Sequence, residues 1–235
     1  LFSWILPKFT ARTGIEVRVV AVGTGAAIRH AKKGDADVLL VHHLPSEKKF
    51  VEDGFGVHRF PLMWNDFVLV GPEADPAGAR GMKDITKALV AIHSSKALFV
   101  SRGDDSGTHK KEMQLWRSAN LEPQKQSGTW YREIGAGMGA ALNMAAAQDA
   151  YVISDRGTWL RYQNSKGLTV LSEGDDRLVN PYGVILVNQK RHAHVKTALG
   201  QKFIDWMISA EGQKNIGDYR IGGKVLFHPG LAPGS

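Results

Sequence analysis

One string in the chain gathers more chemistry than any other: Ser101-Arg102-Gly103-Asp104-Asp105-Ser106-Gly107-Thr108-His109. It stands between a short apolar run and an amphipathic stretch, which is where a strand gives way to a helix. The first N–H groups of a helix have no intrahelical acceptor. Arg102 therefore adds planar, charge-assisted donors to free amides and hydroxyls at Ser106, Gly107 and Thr108, with a helix dipole that favours negative charge. Such a set suits an oxyanion. Capping by Asp105, Ser106 or Thr108 explains one residue of the string, not all of it.

Two glycine turns offer the same backbone chemistry. Gly23-Thr24-Gly25, followed by Ala26, and Gly135-Ala136-Gly137-Met138 each lead from an apolar run into a helix. Without a Cβ, the amides of Thr24, Gly25 and Ala26, or of Gly137 and Met138, can approach a ligand closely. Either turn alone is more simply a tight strand-to-helix connection, but three helix starts directed at one cleft favour a ligand. Arg156, just after the apolar run ending at Ile153-Ser154-Asp155, has two equal fates: reaching that cleft, or pairing with a neighbouring acid.

Gly135-Ala136-Gly137-Met138-Gly139-Ala140 also matches a dinucleotide fingerprint, with Asp155 near the place of a ribose-binding acid. Against this, the related turn earlier in the chain ends its next strand at His42, and the wider six-strand context is missing. His42-His43 lacks a third ligand at metal spacing. No Gly-x-Ser-x-Gly elbow with a partnered histidine is present, so no catalytic residue and no cofactor are expected.

Hydrophobic periodicity supplies the elements that must hold these groups. Helices are expected near residues 2–9, 26–33, 82–93, 108–118, 137–147, 195–208 and 211–218. Strands are expected at 15–22, 38–41, 67–70, 98–101, 130–134, 151–153 and 182–187. Their alternation predicts an α/β fold with parallel sheets covered on both faces. A repeat is written into it. Val22-Gly23-Thr24-Gly25, a helix and Asp35-Ala36-Asp37-Val38-Leu39-Leu40-Val41 are matched by Ile134-Gly135-Ala136-Gly137, a helix and Asp149-Ala150-Tyr151-Val152-Ile153-Ser154. Two such units predict two similar, Rossmann-like lobes. Asn65-Asp66 and Asn180-Pro181 each precede a long apolar strand and mark two crossings. Residues 1–66 and 181–235 then form lobe I and 67–180 lobe II, with a two-segment hinge and a ligand cleft between them.

Bulk composition narrows the partners. Lys and Arg number 30 against 23 Asp and Glu, a net charge of +7, but the basic residues are scattered rather than striped with aromatics. A nucleic-acid partner is therefore not expected. With no cysteine in 235 residues, disulfide scaffolds and thiolate chemistry are excluded.

These strings resemble the tungstate-binding proteins of ABC importers, the TupA family of type II periplasmic binding proteins. The resemblance rests on Val20-Ala21-Val22-Gly23-Thr24-Gly25, on Gly34-Asp35-Ala36-Asp37-Val38-Leu39-Leu40-Val41-His42 and on Asn65-Asp66-Phe67-Val68-Leu69-Val70-Gly71-Pro72. It continues through the Ser101–His109 string, Asp155-Arg156-Gly157-Thr158 and Asn180-Pro181-Tyr182-Gly183-Val184. It implies a monomeric protein exported from the cytoplasm, free or lipid-anchored, that hands tungstate or the related molybdate to a membrane permease. It also implies that Arg102 grips the anion, and that a Thr-Thr-Thr-Ser loop ahead of the segment matching Leu1 adds hydroxyls; without that loop weak binding is expected. Chemistry alone leaves the anion open. Tungstate, molybdate and sulfate want only donors, whereas phosphate carries a proton and wants a carboxylate, which Asp104 or Asp105 could supply.

Overall fold

The computed structural model describes residues 1–165 and 167–233. In chain order the elements are α1 (Phe2–Thr13), α2 (Thr24–Lys33), β1 (Val38–Val41), α3 (Leu44–Glu52), β2 (Gly56–Pro72), α4 (Ile85–Ser95), β3 (Phe99–Ser101), α5 (Gly107–Ser118) and β4 (Tyr131–Glu133). They continue with α6 (Met138–Gln148), β5 (Val152–Asp155), α7 (Arg156–Arg161), β6 (Leu168–Ser172), β7 (Val179–Val187), α8 (Thr197–Ile208) and α9 (Ala210–Gly217). Three short strands close the chain: β8 (Arg220–Ile221), β9 (Lys224–Val225) and β10 (His228–Pro229). Among the described residues no helix is long and apolar enough to cross a membrane.

The chain divides into two compact units. Unit 1 holds Leu1–Asn65 and the residues from Asn180 onward, and unit 2 holds Asp66–Val179. β2 leads the chain out of unit 1, and β7 leads it back.

In unit 1 the sheet order is β1-β7-β2-β10. β1 lies antiparallel to β7, with Val38 opposite Leu186 and Val41 opposite Gly183. α1 turns Ile5 and Phe9 inward, and Phe9 meets Phe203 edge-on at 5.3 Å. At the crossings, Asn180 donates to Asn65 across 2.8 Å, and both are buried. Each buried amide thus finds a partner and avoids the cost of an unmade hydrogen bond.

In unit 2 the strands run β4, β3, β5, β2, β6. β3 and β4 are parallel, and a parallel bridge from Phe99 to Tyr151 brings the start of β5 beside β3. β5 and β6 each pair antiparallel with the second half of β2. Residues 67–70 of that half, Phe-Val-Leu-Val, are buried because α-helical layers cover both sheet faces. One face packs Leu69, Leu89, Ile92, Phe99, Trp116 and Tyr131 into a single cluster. Phe99 stacks on Tyr131 at 5.8 Å and meets Trp116 edge-on at 5.1 Å. The other face packs Val68, Val70, Val100, Leu142 and Val152. Burying one such side chain contributes roughly 1.5–3 kcal/mol, so α5 and α6 are firmly seated.

Two expectations need correction. The sheets are not simply parallel: β2 and β7 run against β5 and β1, because the strands that carry the chain between units enter against the direction of the βαβ strands. Residues 15–22 form no ladder, and Val19, Val20 and Val22 are exposed at 46%, 70% and 45%. β-branched residues favour extended backbone but do not make a strand without a partner edge. Periodicity also overlooked α3, α7, β6 and the first half of β2, all too short or too mixed in pattern to stand out.

Candidate functional site

The Arg102 loop joins β3 to α5. Its course is set by two left-handed residues, Gly103 (φ 59°) and Asp105 (φ 57°). A Cβ on Gly103 would lie 2.9 Å from that of Glu133, so the loop hugs β4 only with glycine there. Ser106 caps α5, accepting from the His109 N–H at 3.2 Å. Asp104 Oδ1 accepts from the Ser106 N–H at 3.2 Å. Its Oδ2 accepts from Arg102 Nε at 3.1 Å and from Nη2 at 2.5 Å.

That pairing fixes the guanidinium plane. The third nitrogen, Nη1, is left beside the buried Thr108 hydroxyl at 3.5 Å. Burial alone would raise the Asp104 carboxyl, but hydrogen bonds from Ser106 and Arg102 outweigh it and hold the group below the usual carboxylate range. Among the described residues the N–H groups of Gly107 and Thr108 meet no acceptor. The result is a held cation edge beside two open amides. Asp105 points away, with its side chain 86% exposed and near Lys110.

The second glycine turn of unit 2 lies against this loop. Ile134 N–H donates to Ser101 O at 3.1 Å, and Ala136 N–H donates to Arg102 O at 3.2 Å. Gly137 caps α6 without a side-chain bond, at φ −69° and ψ 168°, which leaves the first-turn amides from Met138 onward open. A Cβ on Gly137 would meet nothing within 4 Å, so the space ahead of those amides is clear. The structure thus gathers Arg102, Ser106, Gly107, Thr108, Gly137 and Met138 into one region of unit 2.

Arg156 is committed elsewhere. It forms a fork to both oxygens of Asp66, at 2.5 Å each, and reaches Glu173 at 2.7 Å. Asp155 caps α7, accepting from Thr158 N–H and Oγ1 at 2.7 Å each, so its oxygens are engaged. In unit 1, Thr24, Gly25 and Ala26 open α2 behind Gly23, again without a side-chain cap. The Arg29 guanidinium lies 3.5 Å from where a Gly25 Cβ would stand.

His42 Nδ1 contacts Asn180 Oδ1 at 3.0 Å, and His43 caps α3. Among the described residues no group of three His, Cys, Asp or Glu side chains is placed to hold a metal.

The family model for the PBP superfamily domain matches residues 1–211. The tungstate-binding protein TupA of Peptoclostridium acidaminophilum is 44% identical over 99% of this chain and 82% of its own length. The TupA of Campylobacter jejuni is 38% identical over 97% of this chain and 85% of its own. The chain belongs to the TupA family. A solved tungstate-binding TupA from Desulfovibrio alaskensis superposes with a TM-score of 0.91 at 46% identity, covering 97% of this chain and 92% of that one.

Two features of this TupA-family member escape a reading by motif. Arg29 sits inside α2 rather than in its glycine turn, so the turn motif does not mark it. Glu112 is 3% exposed on the inner face of α5. Its signal was present: Thr108, Glu112, Leu115 and Trp116 share one helical face, so an acid falls on an otherwise buried stripe.

Proposed function

We propose that this protein captures tungstate, with molybdate as the related alternative, outside the cytoplasm and delivers it to the membrane permease of an ABC importer. The observation that carries the reading is the Arg102 guanidinium, pinned by Asp104 with Nη1 beside Thr108 and the open Gly107 and Thr108 amides. A tetrahedral dianion needs donors alone, and this arrangement offers donors alone. Family relatives named for tungstate binding support the choice of anion.

Phosphate is the weaker reading on one specific ground. Its proton needs a carboxylate acceptor, yet Asp104 already accepts from Arg102 and Ser106, and Asp105 faces solvent. A dinucleotide reading loses its ribose partner because Asp155 is spent capping α7. The proposed roles are charge from Arg102, a hydroxyl from Thr108 and amides from Gly107, Gly137 and Met138, with Ser106 shaping the helix start. Thr24, Gly25 and Ala26 are proposed as amide donors to the same anion, with Asn65-Asp66 and Asn180-Pro181 as hinge segments. Arg156 is proposed as a lesser contact to the anion, because Asp66 and Glu173 already claim its guanidinium. The role is binding and delivery by a monomer, without catalysis, cofactor or nucleic acid.

The test is calorimetric titration of the full-length mature protein with tungstate, molybdate, sulfate and phosphate. Saturable binding of tungstate ahead of phosphate is expected. Preference for phosphate would reverse the reading.

A further inference from the structure

Behind the Arg102 loop lies a carboxyl that pairs with no cation among the described residues. Glu112 stands one helical turn after Thr108 on α5, on the inner face. Its Oε2 accepts from Ser101 Oγ at 2.8 Å. Its Oε1 accepts from the Tyr131 hydroxyl at 2.8 Å and from Trp116 Nε1 at 3.2 Å. All three donors are neutral and fully buried. Arg102 is the next residue after Ser101, but its guanidinium is taken by Asp104.

Among the described residues the elements packed on α5 give Glu112 no ion pair: Lys111 donates to the Arg177 and Val179 carbonyls, and Arg177 pairs with Asp84 and Asp175. α4 and β5 present Leu89, Ile92 and Ile153 to the shared apolar cluster. From β4 comes Glu133, a like charge. On α5 itself His109 lies a turn earlier, accepting from the Asp105 N–H at 3.1 Å.

We propose that Glu112 is a positioning residue that takes up a proton when the anion is captured, so that protonation behind the loop sets affinity for a dianion. The inference rests on the Arg102 reading of the site. A protonated Glu112 keeps the network paired, since its O–H can donate to Ser101 Oγ, whose own proton turns to the Tyr131 hydroxyl oxygen, while the other carboxyl oxygen still accepts from Tyr131 and Trp116. An ionised Glu112 adds a negative charge inside the protein close to the arriving dianion. Burial, with Glu133 adding to it, pushes this carboxyl up to about 7 against the partial relief of its three hydrogen bonds. A bound dianion pushes it further in the same direction. By linkage the effect is reciprocal: whatever favours the proton on Glu112 favours the anion, and affinity falls as pH rises through and beyond 7.

The experiment is calorimetry of the full-length mature protein with tungstate between pH 6 and 8.5, in buffers of different ionisation enthalpy, which counts protons taken up per anion. Wild type is expected to take up protons around neutrality and to lose about tenfold in affinity across the range, as a shift of one pKa unit implies. Glu112→Gln, which imitates the protonated group, should take up none and keep the wild-type low-pH affinity throughout. His109→Gln should retain the wild-type fall. A flat wild-type profile would overturn the proposal, as would an undiminished fall in Glu112→Gln or its loss in His109→Gln. Infrared difference spectra of wild type on tungstate addition near pH 7.5 test the same point without a variant: a gain of protonated carboxyl supports it and no gain overturns it. Unchanged binding by Arg102→Ala would overturn the site reading instead, a separate failure because the proton count does not involve that variant.

Discussion

The turns that open α2 in unit 1 and α6 in unit 2 are close copies. Gly23 and Gly137 cap their helices at φ −62°, ψ 153° and φ −69°, ψ 168°. Both helices end on a left-handed residue, Gly34 or Asp149, and lead to a strand antiparallel to one that carries the chain between units. The surroundings differ. In unit 2 the neighbouring Arg102 side chain is 18% exposed, and its guanidinium is locked by Asp104. In unit 1, Arg29 is exposed and makes no ion pair among the described residues. Unit 2 also backs its turn with a complete β3–β4 ladder, while residues 15–22 have none. Backbone donors come with the turn itself. A preorganised cation needs a second residue to hold it, and a held side chain gives up less entropy on binding than a loose one.

The largest expected effect comes from removing the held cation. Arg102→Ala should cost on the order of 2–5 kcal/mol of tungstate binding, read by titration calorimetry, while Arg29→Ala should change it by less than about 0.5 kcal/mol. Equal losses would erase the distinction between the two turns.

The buried acid of unit 2 gives a pH test of stability. Glu112 is held near 7 when folded against 4.5 as an ordinary carboxyl. The folded state therefore holds this proton more tightly, so stability from this group is full below 4.5 and is lost as pH rises through 7. Once the group is ionised the loss is up to about 3 kcal/mol. Glu112→Gln should melt like wild type near pH 4.5 and at a higher temperature than wild type above pH 7. Parallel melting curves across that range would show that the network tolerates the charge.

Arg156 sharpens the contrast between an ion-paired arginine and the arginine proposed to meet the ligand. Arg156→Ala strands Asp66 and should lower unit stability by about 1–3 kcal/mol, seen in denaturant melts, with a smaller loss of tungstate affinity than Arg102→Ala. A larger affinity loss would exchange the two roles. The gentlest change fills the open space ahead of the amides. Gly137→Val and Gly23→Val keep φ values open to any residue, so each should cost about 1 kcal/mol of stability or less. Each should also weaken binding about tenfold, or ~1.4 kcal/mol. An effect at Gly137 alone would confine the amide donors to unit 2.

Much of this was legible in the residues. β1 at Val38–Val41 and the helices α5, α6, α8 and α9 were placed to within about two residues, because their apolar spacing is strong and Gly, Ser or Asp marks their ends. The Arg102 string was legible as a loop that opens a helix beside an arginine because its residue types are local; its role toward an anion is a proposal. What sequence could not show is pairing. The ladder that residues 15–22 lack, the acids that claim Arg156 and the three donors that surround Glu112 all depend on partners far along the chain.

Arg102 is the proposed cationic donor to a tetrahedral dianion. The direct measurement is titration of the full-length mature protein, wild type and Arg102→Ala, with tungstate and phosphate side by side. Wild type is expected to bind tungstate more tightly than phosphate, and Arg102→Ala to lose at least about thirtyfold, or ~2 kcal/mol, toward tungstate. Unchanged tungstate affinity in Arg102→Ala would contradict that role.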